Sequence, residues 1–318
     1  MGVSVVIPNY NGEKYIEGCL ESLKKQTLTP DEIIIVDNAS KDRSLDIIND
    51  KYKDYVKLIS MPQNRGFSVA VNEGIKNSTS EYVALLNNDT ELDINWLKEL
   101  YNSINTYEDV FCVCSKMLRY DKRDIIDDVG DGYTILGWAT KRGDGKHEQT
   151  YNASCEVFSA CAGAAIYKRE VFKQIGYFDE HFFAYLEDVD ISYRARIYGY
   201  KNYFCAKAKV YHIGSATSGS RHNDFKVRLA ARNNIYLIYK NMPLWQKIIN
   251  FPSLFLGILI KQLFFIKKGL GKAYLEGISE GLKEKKKIRR VKVKNNLHNY
   301  INIELGLIKN TINLLKRG

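Results

Sequence analysis

Within its first ninety residues the chain alternates four times between a short β-branched or apolar run and a stretch that leads to the next, and three of these runs end on polar clusters. Val3–Ile7 is apolar and stops at Pro8, and Glu13–Lys25 follows with Tyr15, Ile16, Cys19, Leu20 and Leu23 at helical spacing. Glu32–Val36 reads as a second strand ending on Asp37-Asn38-Ala39-Ser40, where Ser40 is placed to cap a helix over about 42–52. Val56–Ile59 is a third strand and Phe67–Lys76 a third helix. Tyr82–Leu86 is a fourth strand that empties onto Asn87-Asn88-Asp89-Thr90. Strands alternating with helices imply an α/β fold. Its mostly parallel central sheet is flanked by helices, with right-handed crossovers and a ligand crevice beyond the carboxyl ends of the strands. The polar clusters fall at that edge.

Further along, Tyr120–Asn152 scatters Gly130, Gly132, Gly137, Gly143 and Gly145 among charges and aromatics, the pattern of loops and short strands that shape a substrate site. Glu156–Tyr167 reads as a strand, Glu170–Ile175 as a helical turn or two, Leu186–Tyr198 as a helix entered through acids and Lys201–His212 as another strand. Gly214–Asp224 has the composition of a mobile loop. There the α/β pattern stops, which divides the chain into 1–240 and a helical extension, 241–318. Charge divides it similarly. Lys and Arg total 47 against 37 acids, but from Lys240 onward there are 17 basic and 4 acidic residues, so the extension is strongly basic and the rest slightly acidic.

Anionic partners must therefore be met by the extension. It holds Ile248–Ile260, interrupted by Asn250 and Pro252, then Lys261-Gln262 and Leu263–Ile266. A bilayer span needs about 20 apolar residues, and these blocks are flanked by Lys267, Lys268, Lys272 and the cluster 283–290. The expectation is helices lying on an anionic membrane surface. Nucleic acid is not expected as a partner, because stacking aromatics are not interleaved with the charge. The six cysteines form no Cys-x-x-Cys pair, and the first residues lack the basic and small-residue signals of a secretory leader. Reduced core thiols in a cytoplasmic protein, peripheral at the inner face of the cell membrane, are expected.

Asp37 stands where open α/β sheets place an acid that binds a nucleotide's ribose or base. No Gly-x-Gly-x-x-Gly and no Walker lysine follow the first strand, so phosphates would need other cations. Arg65, at a helix entrance, is either such a cation or a solvated loop arginine. Asp89 beside Asn87 and Asn88 offers oxygen ligands suited to Mg2+ or Mn2+, or else caps the helix that contains Trp96 and Leu97. Glu187-Asp188-Val189-Asp190 puts three carboxylates beside an apolar stretch, where raised pKa values suit a general base; the alternative is a set of acids satisfying a helix dipole. His212 ends a strand at the same edge as Asp89 and reads either as a structural histidine or as a further metal ligand.

Six blocks, SVVIPNYNG (4–12), EIIIVDNASKDRS (32–44), NRGFSVAVNEGI (64–75), YVALLNNDT (82–90), GAAIYKREVFKQIGYFDEHFFAYLEDVDISYRARIYGY (163–200) and VYHIGS (210–215), follow in an order and spacing that resembles the family 2 inverting glycosyltransferases of GT-A fold. The rhamnosyltransferase-like branch of bacterial surface polysaccharide synthesis is the most similar, over roughly residues 1–240. The resemblance implies that Pro8, Asn9, Tyr10, Asp37, Arg65 and Asn88 hold a nucleotide sugar. It makes Asp89 and His212 ligands of Mn2+ or Mg2+ and Asp188 the catalytic base. Asn87 stands where the family's Asp-x-Asp motif has its first carboxylate, while Glu187 and Asp190 orient the acceptor and the helix. It further implies a dTDP-sugar (rhamnose) or UDP-sugar donor and a saccharide or polyprenyl-diphosphate-linked acceptor met by Asp127–Asn152. The loop 214–224 is expected to close over donor and metal, because glycosyl transfer must exclude water. The competing reading is a catalytically inactive nucleotide-sugar-binding or membrane scaffold protein.

Overall fold

The alternation of the first ninety residues becomes β1 (Val3–Asn9), α1 (Ile16–Lys24), β2 (Glu32–Asp37), α2 (Ser44–Tyr52), β3 (Lys57–Ser60), α3 (Phe67–Asn77) and β4 (Tyr82–Leu86) in a computed structural model. The structure describes residues 2–214, 222–292 and 296–316, so residues 215–221 of the expected closing loop lie outside the described residues. β3, β2, β1 and β4 lie side by side and parallel. The pleat sends alternate residues of β1 to opposite layers: Val3, Val5 and Ile7 meet Ile16, Leu20 and Ile48 of α1 and α2, while Val6 meets Ala70, Val71 and Ile75 of α3. Ser40 does not cap α2. Its hydroxyl and backbone N–H are both given to Asp37, and α2 starts after Arg43.

The chain continues through β5 (Thr90–Leu92), α4 (Trp96–Ile104), β6 (Val110–Arg119), β7 (Ile126–Asp128), β8 (Asp131–Tyr133), β9 (Ala139–Lys141), β10 (Cys155–Val157), β11 (Ala164–Lys168), α5 (Val171–Ile175), α6 (Glu187–Ile197) and β12 (Lys201–His212). The sheet extends from β4 through β11, β6, β12 and β10. β6 and β12 run with β1–β4, while β11, β10, β5 and β7 run against them, so the sheet is mostly parallel. β6 escapes sequence reading because VFCVCSKMLR has neither alternation nor punctuation. It is buried on both faces, including Lys116, whose Nζ donates to Glu148 O and Asn152 Oδ1. The strand expected over 156–167 is instead two, β10 on β12 and β11 between β4 and β6. All six cysteines are free.

Four helices follow: α7 (Asp224–Asn241), α8 (Leu244–Lys267), α9 (Gly271–Glu284) and α10 (Leu297–Leu315). α8 runs unbroken through Asn250 and Pro252, the two residues that interrupt its apolar sequence, and is long and apolar enough to cross a membrane. Its polarity is inverted. The inward positions are Gln246, Asn250, Leu254 and Gly257, with Gln246 and Asn250 donating to the Glu304 carboxylate of α10 at 2.6 and 2.9 Å. Ile248, Phe251, Phe255, Leu259, Leu263 and Ile266 face outward. α10 is apolar on both sides: Tyr300, Ile303 and Leu307 join the core of α6 and α7, while Leu297, Ile301, Leu305, Ile308, Ile312 and Leu315 form an exposed stripe.

Candidate active site

The β1–β2 register sets Asn9 opposite Asp37. Asn9 Nδ2 donates to Asp37 Oδ1 at 2.8 Å while its Oδ1 accepts from Asn88 Nδ2 at 2.7 Å, so one buried amide ties together the ends of β1, β2 and β4. Ser40 supplies Asp37 with a backbone N–H and a hydroxyl. A Cβ at Gly12 would overlap Asn9 Oδ1 and Asn88 Nδ2, which explains the glycine. Pro8 and Tyr10 flank this tie, both half-buried. Asn87 is half-buried as well, its N–H bonded to Gly163 O.

Asn38, to which the sequence assigned no role, builds the next loop. It accepts the Arg65 N–H at 2.9 Å and donates to Asn64 Oδ1 and Gly66 O. This presents Arg65 at the start of α3 with its guanidinium half exposed, 3.3 Å from Glu180. An exposed pair of this length is weak and leaves Arg65 available to an anion.

Asp89 and His212 meet because the residues after Asp89 form β5, whose register on β12 opposes Thr90 to His212. His212 Nε2 lies 3.4 Å from Asp89 Oδ1, and Nδ1 lies 2.8 Å from Asp127 Oδ2. Burial opposes a charge on His212, but the hydrogen bonds to Asp127 and Asp89 outweigh it and raise its pKa to about 9. Burial likewise works against the charge of Asp127, yet His212 and Lys141 hold its carboxyl well below the usual range. Among the described residues no set of three or more His, Cys, Asp or Glu side chains gathers as a metal cage. The pair nevertheless fits a hard divalent ion. The two donors are spaced as neighbouring ligands of one ion, and a carboxylate holds the far nitrogen of the imidazole, as it does behind metal-bound histidines.

The Glu187-Asp188-Val189-Asp190 acids do not share one role. Asp188 is partly buried at the first turn of α6, its Oδ1 accepting the Val189 N–H at 2.8 Å. Burial raises its pKa, and the backbone N–H groups of Val189 and Ala162 together with Lys141 pull the other way. Glu187 is buried with Oε2 unpartnered, and burial followed by the charge of Asp188 pushes its pKa well above the ordinary value. Asp190 is fully buried and cannot orient an acceptor. It is bound by Arg194 and Lys240, each at 2.9 Å, and by Asn241 Nδ2 at 2.8 Å, tying α6 to α7. Asp190→Ala would leave buried Arg194 with only the carbonyls of Ile175, Gly176 and Tyr177 and Lys240 with Asp179 alone, with an expected loss of about 1–3 kcal/mol in denaturant unfolding.

Facing Asp188 electrostatically are Asp128 and Asp131, with Lys141 as the opposing cation. Burial lifts the Asp128 carboxyl to about 6, and burial together with Asp128 and Asp188 lifts Asp131 well above normal. These residues lie in and around the glycine-scattered segment singled out for acceptor contacts. No local motif marks them individually; β7, β8 and β9 assemble them.

The glycosyl transferase family 2 model matches residues 4–176, over half of the chain. The poly-beta-1,6-N-acetyl-D-glucosamine synthase of Staphylococcus epidermidis is 25% identical over 201 residues, covering 63% of this chain and 47% of that protein. The chain spans less than half the length of the curated relatives it matches. Among solved structures, GalNAc-T7 with UDP, GalNAc and Mn2+ has a TM-score of 0.61 at 19% identity, covering 75% of this chain and 47% of that one. The mannosyltransferase PcManGT of Pyrobaculum calidifontis with GDP-Man and Mn2+ has a TM-score of 0.55 at 14% identity, with 88% and 86% coverage. These likenesses show the GT-A-type fold.

Proposed function

Because the chain belongs to glycosyl transferase family 2, we propose that it is an inverting glycosyltransferase of cell-surface polysaccharide synthesis. It moves a sugar from a UDP or dTDP donor to a hydroxyl of a saccharide or lipid-linked acceptor. The observation that carries this reading is the β5–β12 pairing, which sets Asp89 and His212 3.4 Å apart at the edge where β1, β2 and β4 end. The ligands named for the two solved relatives, a nucleotide or nucleotide sugar with Mn2+, agree with it.

In this mechanism Asn9, Asp37 and Asn88, with Pro8 and Tyr10, seat the nucleoside, and Arg65 meets the diphosphate. A Mn2+ or Mg2+ ion held by Asp89 and His212 would neutralise charge on the leaving diphosphate. Asp188, its pKa raised by burial toward the working range of a general base, takes the proton of the acceptor hydroxyl. Attack from the face opposite the diphosphate inverts the anomeric centre.

Calorimetric titration with UDP and with dTDP, each with and without Mn2+, tests the assignment. Metal-dependent binding of one nucleotide supports it and names the donor class. Binding of neither moves the weight to an inactive scaffold.

The extension fits an anionic membrane surface. α8 turns Gln246 and Asn250 inward, and both α8 and α10 turn apolar stripes outward, with Lys267, Lys268, Lys272 and the 283–290 cluster in the same extension. Sedimentation with phosphatidylglycerol-containing vesicles, lost in phosphatidylcholine alone and weakened by salt, is the expected result. Phe251→Asp with Phe255→Asp should reduce it several-fold. Binding indifferent to both lipid charge and these substitutions would refute the surface.

A further inference from the structure

The turn that delivers α6 is strained. Phe183, Tyr185 and Leu186 have φ of 64°, 70° and 67°, so three of four consecutive residues occupy a region that side chains other than glycine avoid. Such a backbone persists only where its surroundings over-determine it. Here every carbonyl of 180–186 has a partner. Glu180 O accepts from Phe183 N and Leu186 O from Asp190 N inside the turn and helix, and Phe183 O accepts from Ser68 N of α3 at 3.2 Å. The remaining four belong to two adjacent residues of α7. Arg232 donates through Nη2 to His181 O and Phe182 O, both at 3.1 Å. Asn233 Nδ2 lies 2.9 Å from Phe182 O, 2.8 Å from Ala184 O and 2.8 Å from Tyr185 O. The Asn233 side chain is fully buried, and its Oδ1 accepts from Arg232 Nε at 3.1 Å, which decides which way the amide faces.

Asp188 lies two residues beyond Leu186, and the same turn touches the loop that presents Arg65, since Gly66 leaves room for Phe183 O where a Cβ would collide. We propose that Asn233, seated by Arg232, is a positioning residue for the Asp188 base: it pins the strained turn so that α6 begins with its carboxylate aimed at the acceptor side and in register with the donor-side loop. This rests on the reading of Asp188 as base. The asparagine has the one side chain of its size that can present an N–H pair to converging carbonyls while accepting from Arg232. Without it, buried carbonyls are left unpaired and the turn relaxes toward ordinary φ values.

The test compares Asn233→Ala and the isosteric Asn233→Asp with Val227→Ala, in the full chain. Val227 is on the same helix but packs with Ala231, Ala273 and Tyr274, so its truncation is a purely structural insult. Readouts are release of nucleoside diphosphate from the donor class chosen by the titration, its pH profile, and nucleotide affinity. For both Asn233 variants the expected results are a fall in kcat of about 100-fold, the scale of an ångström-sized misplacement, and nucleotide affinity within twofold. The acid limb of kcat should move to lower pH as Asp188 becomes better solvated, with Glu187, Asp128, Asp131 and Lys141 still facing it. Val227→Ala should lower Tm and keep kcat and limb. If Asn233→Ala does not fold, Asn233→Asp, which preserves shape and the Arg232 contact, gives the same readouts. Asn233 variants that lose only Tm, with kcat and acid limb unchanged, would overturn the proposal. Failure of the underlying reading shows separately, as turnover retained by Asp188→Asn.

Discussion

Asp188→Asn is expected to reduce sugar transfer by about 10^3-fold or more while leaving nucleotide affinity within twofold. The substitution keeps size and the hydrogen bond from Val189 N–H but removes the group that receives the acceptor proton, and general-base catalysis contributes about 10^2–10^4-fold. In the proposed mechanism nucleotide binding draws on the ends of β1, β2 and β4, whose hydrogen bonds do not involve this carboxylate. The pH dependence carries a sign. As the proposed base Asp188 would work deprotonated, and its pKa is raised, so activity is expected to be full above that pKa and to fall as the pH drops through it. Lys141 opposes the rise, so Lys141→Met should move this acid limb to higher pH. Single-turnover kinetics against pH measure both effects, and turnover retained by Asp188→Asn would remove the base assignment.

Asp89→Ala is expected to abolish the metal-dependent part of nucleotide binding and to lower turnover by about 10^2–10^3-fold, the usual cost of losing one stabiliser of developing charge. The residual metal-free affinity should match that of the unaltered protein in chelator. Asp127→Asn makes a finer test, because it leaves both proposed metal ligands in place while removing the carboxylate that His212 Nδ1 shares with Lys141. A metal affinity lower by about 10–100-fold, with metal-free nucleotide binding untouched, is the expected result for such a partner. Mn2+ titration in the presence of the nucleotide reads both variants. Identical metal dependence in all three proteins would place the ion elsewhere.

Much of the architecture could be read in advance because the first four strands and three helices declare themselves locally. The β-branched runs of β1 and β2 are buried on both faces, and the polar residues that end them have nowhere to go but the sheet's open edge. Asn9, Asp37, Asn88 and Asp89 could therefore be picked out as a set. β6 could not, since a continuous apolar run without punctuation shows no period, and the division of 156–167 into β10 and β11 depends on partners far away in sequence. The Ser40 cap failed for a similar reason: its hydroxyl donates to buried Asp37, and its oxygen accepts from Asn11 N–H and Asn9 Nδ2 rather than from the first N–H groups of a helix.

The sequence by itself determined the strand–helix alternation, the chemical types gathered at the carboxyl edge and the charge contrast between the body and the extension. All of these are properties of short windows. Only the tertiary structure decided what surrounds each acid. Asp188 and Asp190 are two residues apart on one helix, yet one faces Ala162 and the acid cluster while the other is closed in by Arg194, Lys240 and Asn241. It likewise decided that Asp127 stands behind His212 and that Asn233 holds the turn before Asp188. The reason is physical: a side chain's protonation and partners are set by the groups that surround it in space, and here those come from β7, β12 and α7, many tens of residues away along the chain.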